Sequence, residues 1–327
     1  MRLWIRKAVC WESKATRRPW LGKRDTFMLR PGRLSRVFLC FALLSCCGTL
    51  VAQQTADNAL FWRISQDGRE AGFLLGTIHS EDPRVLDFTD TFIAQLNSCQ
   101  VFAMEMVPDL PTLTRLTDYM QYPDTTTLQQ TIGQQRFDRV MQALSNYQVP
   151  SDWKMKMKVW AVMMTLSVPP AGTGFFMDLS LSMRAAGSGL KIVGLETLEQ
   201  QLAFLENMPM DYQLVLLDQA LAEYPQASEI HRQMVDAYLR DDLAVLSQLS
   251  NAQFDQLDGA IKNYFVSLGI EARNHRMLEN LLPMLQDSRV FVAVGALHFA
   301  GAQGLVALLR GQGYTLTPLP LPFTPVQ

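Results

Sequence analysis

Four short apolar runs in this sequence are each followed by a polar residue that can carry chemistry, and this pattern limits the possible folds more than any other feature. The runs cover residues 72–75, 101–104, 191–195 and 291–294, and the polar residues after them are His79, Glu105, Glu196 and His298. Short apolar runs bounded by turn signals are typical of buried strands. In open α/β sheets, ligands bind at the carboxyl ends of the strands. We therefore expect these four side chains to gather at one edge of a sheet.

Two of these residues belong to a repeated phrase in which an apolar run leads into Gly-x-x-His. The phrases are Gly76-Thr-Ile-His79 and Gly295-Ala-Leu-His298, and they hold two of the four histidines in the chain. A glycine there permits a sharp turn and the close approach of a ligand or a neighbouring strand.

Two imidazoles and two carboxylates favour two kinds of chemistry. The first is a divalent metal such as Mn²⁺, Co²⁺ or Zn²⁺, with His79, Glu105 and His298 as its ligands. The second is general acid–base catalysis without a metal. The residue types alone leave both hypotheses open.

The segment 271–285 adds two polar candidates on an apolar helix. At about 100° per residue, Asn274 falls within the apolar stripe and Arg273 at its margin. A buried amide must find hydrogen-bond partners or line a cavity. Arg273 either binds an oxyanion or a substrate carboxylate, or pairs with an acid on a neighbouring helix. His275 and His231 are expected to face solvent and not to act as ligands.

The remaining signals place these strands within an α/β fold. Asp67-Gly68 predicts a hairpin, residues 153–166 one helix, and residues 314–319 an edge strand that contains a proline. Asp178 is either a helix N-cap or a site residue. We predict one α/β domain over residues 53–327, with a mixed central sheet, a large helical portion packed around it (segments 108–186 and 211–286) and the site at the carboxyl ends of the strands.

The amino terminus predicts export. Residues 1–36 carry a large excess of Lys and Arg, and an apolar stretch over residues 37–52 follows. This pattern is typical of a signal peptide over residues 1–52, cleaved after Ala52, with Met28 as an alternative start. The expected location is the periplasm or the extracellular space, and any membrane tethering would be through this segment. The alternative is a lipoprotein anchored through Cys46.

The rest of the chain excludes some classes of protein. With the basic amino terminus removed, the remainder is acidic, which argues against a nucleic-acid partner. Cys99 is the single cysteine after the apolar stretch, so no disulfide can form within the exported part. We expect Cys99 to be a small buried residue.

At these residues the chain resembles the TraB/GumN family, which includes the Tiki-type extracellular proteases. The matching pieces are residues 60–64, 76–79, 102–105, 177–178, 193–201, 273–274 and 294–298. The resemblance covers about residues 58–320. It implies a fold like that of the erythromycin esterases and of a haem-binding iron-regulated lipoprotein. It also implies an active site made of His79, His298, Glu105 and Arg273, to which we add Glu196 and Asn274.

The resemblance leaves the cofactor open, because Tiki-type members are described as metal-dependent peptidases and the esterase relatives as working without metal. The function it favours is a secreted or periplasmic hydrolase, namely a metal-dependent peptidase, acting on a peptide or small-molecule substrate. The alternative is a non-catalytic protein that binds haem, a metal or a signalling peptide. The oligomeric state is not predicted.

Overall fold

A six-stranded mixed sheet forms the centre of the computed structural model, which describes residues 58–255 and 257–323. The strands are β1 (Phe61–Gln66), β2 (Arg69–Thr77), β3 (Val101–Met104), β4 (Lys191–Gly194), β5 (Val290–Gly295) and β6 (Thr315–Pro318). Their order across the sheet is β4-β3-β5-β2-β1-β6. The first four in this order run parallel to one another, whereas β1 is antiparallel to both β2 and β6. The carboxyl ends of β4, β3, β5 and β2 therefore lie at the same edge.

The hairpin and the edge strand agree with the sequence prediction. Asp67 and Gly68 both adopt positive φ angles in the turn between β1 and β2. β6 lies at the outer edge of the sheet, where Pro318, which has no N–H to donate, interrupts no ladder on its free side.

Helices surround the sheet on the described part of the chain. They are α1 (Asp90–Asn97), α2 (Leu110–Tyr119), α3 (Leu128–Ile132), α4 (Gln134–Ala143), α5 (Ser151–Lys156), α6 (Val159–Leu166), α7 (Met177–Gly187), α8 (Leu198–Glu206), α9 (Met210–Glu223), α10 (Ala227–Leu239), α11 (Leu243–Ala252), α12 (Gly259–Tyr264), α13 (Ala272–Asp287) and α14 (Leu305–Gly311). Short 3₁₀ turns cover Pro83–Val85, Leu144–Asn146, Tyr224–Gln226 and Ala296–Phe299.

Within residues 58–255 and 257–323, the buried apolar side chains form two clusters. The first packs on the sheet, where Phe291 in the central strand β5 contacts the rings of Phe73, Phe92 and Phe102. Burial of one such side chain stabilises a fold by about 1.5–3 kcal/mol. The second cluster lies among helices α3, α4, α6, α8, α9 and α12. The sheet and the largely helical part thus each have a core.

The single helix expected over residues 153–166 is two helices, which is a correction. The break falls at Met157, which adopts an extended backbone conformation and forms an isolated β-bridge with Gln121. The N–H of Lys158 donates to the carbonyl of Met120 instead of continuing a helix. A tertiary backbone contact overrides local helix propensity here.

A π-helical stretch, Phe265–Glu271, joins α12 to α13. Such stretches are rare and occur mostly at functional sites. This one leads directly into the turn of α13 that carries Arg273 and Asn274, so the wider turn sets the direction in which both side chains leave the helix.

The α/β class with a mixed sheet is confirmed. The predicted signal peptide over residues 1–52, with Met28 and Cys46, lies outside the described residues. Within residues 58–255 and 257–323, no helix has both the length and the apolar character needed to cross a bilayer. Cys99 is buried, and burial raises the pKa of its thiol to about 11.

Candidate functional site

The four predicted strand-end residues line up along one edge of the sheet. The order β4-β3-β5-β2 places them in the sequence Glu196, Glu105, His298 and His79. Neighbouring strands are about 4.8 Å apart, so segments that are more than 200 residues apart in the chain meet here. The side chains nevertheless divide into two groups, which we name after their histidines.

The His298 group is built around the Glu105 carboxylate. Its Oε1 accepts the N–H of Gly295 at 2.8 Å, and its Oε2 accepts Arg273 Nη2 at 2.7 Å and Gln201 Nε2 at 3.1 Å. A Cβ at position 295 would lie 3.2 Å from Oε1, tighter than most Cβ contacts, so glycine permits this approach. Burial alone would raise the pKa of Glu105, but His298, Arg273 and the Gly295 N–H outweigh it and hold the pKa at about 2. Glu105 is therefore an anion at neutral pH.

Arg273 joins Glu105 to a second acid, Glu196. Arg273 Nε donates to Glu196 Oε2 at 2.8 Å, and Arg276 Nη1 donates to Glu196 Oε1 at 3.0 Å. The Glu196 side chain is fully buried and that of Arg273 is 9% exposed. Two carboxylates thus face two guanidinium groups, so the buried charges balance. Arg273 pairs with acids on neighbouring elements, which is one of the two roles considered from the sequence.

The hydrogen bonds of Asn274 fix the tautomer of His298. Asn274 Nδ2 donates to two carbonyl oxygens, those of His298 and Gln303, so its Oδ1 is the atom that faces His298 Nδ1, at 2.6 Å. An amide oxygen only accepts, so Nδ1 must carry the proton. The other ring nitrogen, Nε2, then has a free lone pair when the ring is neutral.

His298 is neutral at physiological pH. Burial lowers the pKa of this imidazole to about 4; the Glu105 charge opposes that shift and the Arg273 charge adds to it. Nε2 lies 3.8 Å from Glu105 Oε1, too far for a hydrogen bond. The Glu105 side chain is 22% exposed, against 5% for His298, and Arg276, beside Glu196, is 34% exposed, so solvent reaches the carboxylate next to Nε2 as well as the far end of the network. This arrangement can accept a proton and stabilise the resulting imidazolium.

The His79 group is smaller and more open. His79 Nδ1 lies 3.4 Å from Asp178 Oδ2, and Thr77 Oγ1 donates to Asp178 Oδ1 at 2.6 Å. The ring stacks on Phe176 with 4.0 Å between centroids, and its side chain is 62% exposed. Asp178 does not cap helix α7, because the N-cap position is Phe176. Asp178 instead directs the His79 ring, again leaving Nε2 free.

The nearby loop is held by a third carboxylate, Glu81. Its oxygens accept the N–H groups of Gly172, Thr173 and Gly174 together with the Thr173 hydroxyl. These hydrogen bonds lower the pKa of Glu81 to about 2, and the one from the Gly172 N–H makes the largest contribution. The loop that carries Phe176 is thereby fixed against the chain just after His79.

The predicted metal ligands do not form one site in this arrangement. His298 and Glu105 are neighbours, but His79 is engaged by Asp178 in the other group. On the described residues, no three His, Cys, Asp or Glu side chains lie close enough together to hold one metal ion. The free Nε2 of each histidine is the donor a metal would need, but as placed the three predicted ligands do not fit a shared ion.

Among the charged and amide side chains of these groups, three were not assigned to the site from the sequence. Gln201 contacts Glu105, Arg276 contacts Glu196, and Asp178, which the sequence left undecided, contacts His79. Arg276 lies three residues after Arg273 and hence on the same helix face. This spacing could have identified Arg276 from the sequence. For Gln201 and Asp178 the signal is weaker, because only the fold shows which strand end each helix faces.

The other two histidines differ from each other. His275 is exposed and bonds Gln303 Oε1 at 2.7 Å, as expected for a residue outside the site. His231 was expected to be solvated, which is wrong. It is partly buried, its Nε2 lies 3.1 Å from the buried Ser80 hydroxyl, and burial lowers the pKa of its imidazole.

A cavity of about 750 Å³ lies between α11, the π-helical stretch and α14. Asn274, Leu297 and Phe299 contribute to its wall. Because Asn274 holds Nδ1 of His298, the cavity borders the side of the ring away from Nε2. The volume falls in the range of small-molecule sites.

Comparison with known proteins gives distant relatives. A Xenopus tropicalis protein named metalloprotease TIKI2 is 24% identical, over 87% of this chain and 67% of its own length. A Danio rerio protein named metalloprotease TIKI1 is 23% identical, over 82% of this chain and 64% of its own length. This chain thus spans about two thirds of the length of these relatives. The uncharacterized protein YbaP of Shigella flexneri is 22% identical, over 76% of this chain and 90% of its own length.

No solved structure matches the chain. The profile of the TraB/PrgY/gumN family, however, matches residues 60–318, a range that includes every strand of the sheet and both histidine groups. The chain therefore belongs to the TraB/PrgY/gumN family.

Proposed function

We propose that this protein is an exported hydrolase that cleaves peptide bonds, with the His298 group as its catalytic centre. One observation carries the proposal. The neutral His298 ring places its Nε2 3.8 Å from Oε1 of an ionised, partly exposed Glu105 carboxylate that belongs to a charge-balanced cluster. The distant relationship to proteins named metalloproteases supports a peptidase-like role.

The proposed reaction uses Nε2 as a general base. Nε2 takes a proton from a water molecule, whose oxygen adds to the carbonyl carbon of the substrate. Glu105 stabilises the imidazolium that forms. The imidazolium then returns the proton to the amine nitrogen as the carbon–nitrogen bond breaks, so that one water is added across the peptide bond.

Arg273 and His79 have supporting roles in this proposal. Arg273 holds Glu105 and Glu196 in place and supplies positive charge beside the developing oxyanion. His79, exposed at the next strand end, contacts the substrate through its free Nε2. Asn274 keeps the His298 ring in the reactive tautomer.

A divalent metal is the cofactor to test, because the named relatives are metalloproteases. Mn²⁺, Co²⁺ and Zn²⁺ are the ions that imidazole and carboxylate ligands favour. His79 and His298 lie in separate groups, so none of the proposed steps uses a metal.

The proposed location, periplasmic or extracellular, rests on the basic and apolar amino-terminal sequence. The lipoprotein form anchored at Cys46 is the alternative. Fractionation of cells that express the full chain, with Cys46→Ser as the control, distinguishes a released protein from a membrane-attached one.

A second candidate function is ligand binding without turnover, and the 750 Å³ cavity is the observation that favours it. The deciding experiment combines metal analysis of the purified protein with a peptide-library cleavage assay, run with and without a chelator. Cleavage that is lost in His298→Gln supports the hydrolase. If no peptide is cleaved under any metal condition, the hydrolase proposal is wrong and the binding role is favoured.

A further inference from the structure

The amide of Gln201 has only one orientation compatible with its neighbour. Its nitrogen lies 3.1 Å from Glu105 Oε2. Glu105 also accepts from the Gly295 N–H and from Arg273, so it is a carboxylate that can only accept. With the amide turned over, two oxygens would face each other. Gln201 must therefore donate to Glu105 and direct its own oxygen elsewhere.

That oxygen, Gln201 Oε1, is buried and has no hydrogen-bond partner within the described part of the chain. Leaving a buried acceptor unpaired costs about 1–3 kcal/mol, so a donor is expected at this position. From the bond lengths of an amide, Oε1 lies at most about 5.5 Å from Glu105 Oε2. The donor it needs therefore lies within one further hydrogen-bond length of this point, on the Gln201 side of the Glu105 carboxylate.

The neighbouring acceptors narrow the identity of this donor. His298 Nε2 offers a lone pair when neutral, and Glu105 Oε1 lies 3.8 Å from it. Neither can donate to the other or to Gln201. Gln201 Oε1 and His298 Nε2 thus both need a donor, and their side chains border the same Glu105 carboxylate, one at each of its oxygens. Water is the smallest species with two hydrogens to donate.

We propose that Gln201 is a positioning residue that holds Glu105 through its N–H and the hydrolytic water through its Oε1. This inference rests on the proposed hydrolase function, in which that water gives its proton to His298 Nε2 and its oxygen to the substrate carbonyl carbon. Gln201 touches the water and not the peptide, so its loss lowers kcat and leaves KM nearly unchanged.

The kinetic test compares two neighbouring glutamines on helix α8. Gln201→Met keeps the length of the side chain and removes both its donor and its acceptor. We expect kcat to fall by about 10- to 100-fold with KM within about 2-fold. The matched control is Gln200→Met, which breaks the capping box with Thr197 and should lower the melting temperature without changing kcat. A rise in KM at constant kcat, or equal kcat values in the two variants, would overturn the proposal.

A second variant separates positioning from space filling. Gln201→Glu places a carboxylate against Glu105, and like charges raise the pKa of such a pair. We expect activity to be low at pH 7.5 and to recover as the pH is lowered, because a protonated glutamate again offers one donor and one acceptor. The same relative activity at every pH would contradict the proposal.

A structural readout does not depend on catalysis. A crystal structure of the wild-type protein that resolves ordered water should show one water within hydrogen-bond distance of both Gln201 Oε1 and His298 Nε2, and Gln201→Met should lack it. A protein donor on Oε1 would overturn the inference. Such a water in a protein that cleaves no peptide would refute the proposed function and leave the water site standing.

Discussion

The two Gly-x-x-His phrases place the same residue type at the ends of adjacent parallel strands, yet the two histidines have very different surroundings. His298 is 5% exposed and belongs to a network of two carboxylates and two guanidinium groups. His79 is 62% exposed and has one carboxylate partner, Asp178. In both cases an oxygen from a helix fixes Nδ1 and leaves Nε2 free. The two imidazole rings are thus oriented in the same way, and they differ in how deeply they are buried.

This difference predicts that the two histidines are unequally needed for stability, although in the proposed mechanism both are needed for activity. Burial makes each hydrogen bond of the His298 group costly to lose, whereas solvent can replace those of the His79 group. The tests below begin with the largest expected effect.

The catalytic test replaces each histidine by glutamine. His298→Gln and His79→Gln should each lower kcat/KM by about 100-fold or more, the range for loss of a general base or a comparable group. Cleavage of the best peptide from the library, measured for both variants side by side, gives the answer. Wild-type kcat/KM in His79→Gln would confine catalysis to the His298 group.

The stability test removes the negative charge of Glu105 in the His298 group and of Asp178 in the His79 group. Glu105→Gln leaves Arg273 partly unpaired inside the protein and should cost about 3–5 kcal/mol. Asp178→Asn, at a carboxylate whose side chain is 29% exposed, should cost about 1 kcal/mol or less. Urea denaturation of both variants measures the difference, and equal losses would show that burial does not separate the groups.

The pH test uses the low pKa of His298. Its folded pKa of about 4 lies below the usual 6.5, so the unfolded chain binds a proton first as the pH falls. The stabilisation from the neutral ring is complete above pH 6.5 and is lost as the pH falls towards 4. Between pH 7 and pH 5 the wild type should lose about 2 kcal/mol more than His298→Gln. Urea denaturation at both pH values provides the check, and parallel losses in the two proteins would contradict the assignment.

The smallest expected effect concerns the loop over His79. Glu81→Gln weakens the bonds to the N–H groups of Gly172 and Thr173, so hydrogen exchange at residues 172–176 should rise several-fold. Because the folded pKa of Glu81 is about 2, the loop of the wild type should loosen only as the pH falls from about 4.5 towards 2. Glu229→Gln is the control, since Glu229 also has a pKa of about 2 but bonds Arg232 and Gln233 instead of the loop. Identical hydrogen exchange in the two variants would show that Glu81 does not hold this loop in place.

The sequence predicted the strands and their polar ends because both are local signals. The apolar run 101–104 leads directly to Glu105, and the run 291–294 leads through Gly295 to His298. Parallel strands bring such ends together. The α/β class followed from the same pattern. The position of Asn274 within an apolar stripe also predicted that its amide would be bonded or would line a cavity. It does both, through its contacts with His298 and Gln303 and its place in the cavity wall.

The contacts that the sequence did not predict depend on how the helices pack against the sheet. Asp178 and Gln201 reach the strand ends only because α7 and α8 begin beside them, and no periodicity encodes that placement. The separation of His79 from His298 has the same origin, since Asp178 holds one ring and Asn274 the other. The partial burial of His231 likewise reflects the packing of α10 against Ser80.

The π-helical stretch before Arg273 has a consequence for the length of this chain segment. A π turn is equivalent to one residue added to an α-helix, and one residue corresponds to about 100° of rotation. Deleting a single residue within Phe265–Glu271 would let the helix regain its regular pitch. Every side chain upstream would then be turned by that angle relative to Arg273 and Asn274. Either α12 would keep its present contacts or Arg273 and Asn274 would keep theirs, but not both. A relative that lacks the extra residue should therefore present a different face of α12 to the rest of the molecule if Arg273 and Asn274 keep their places.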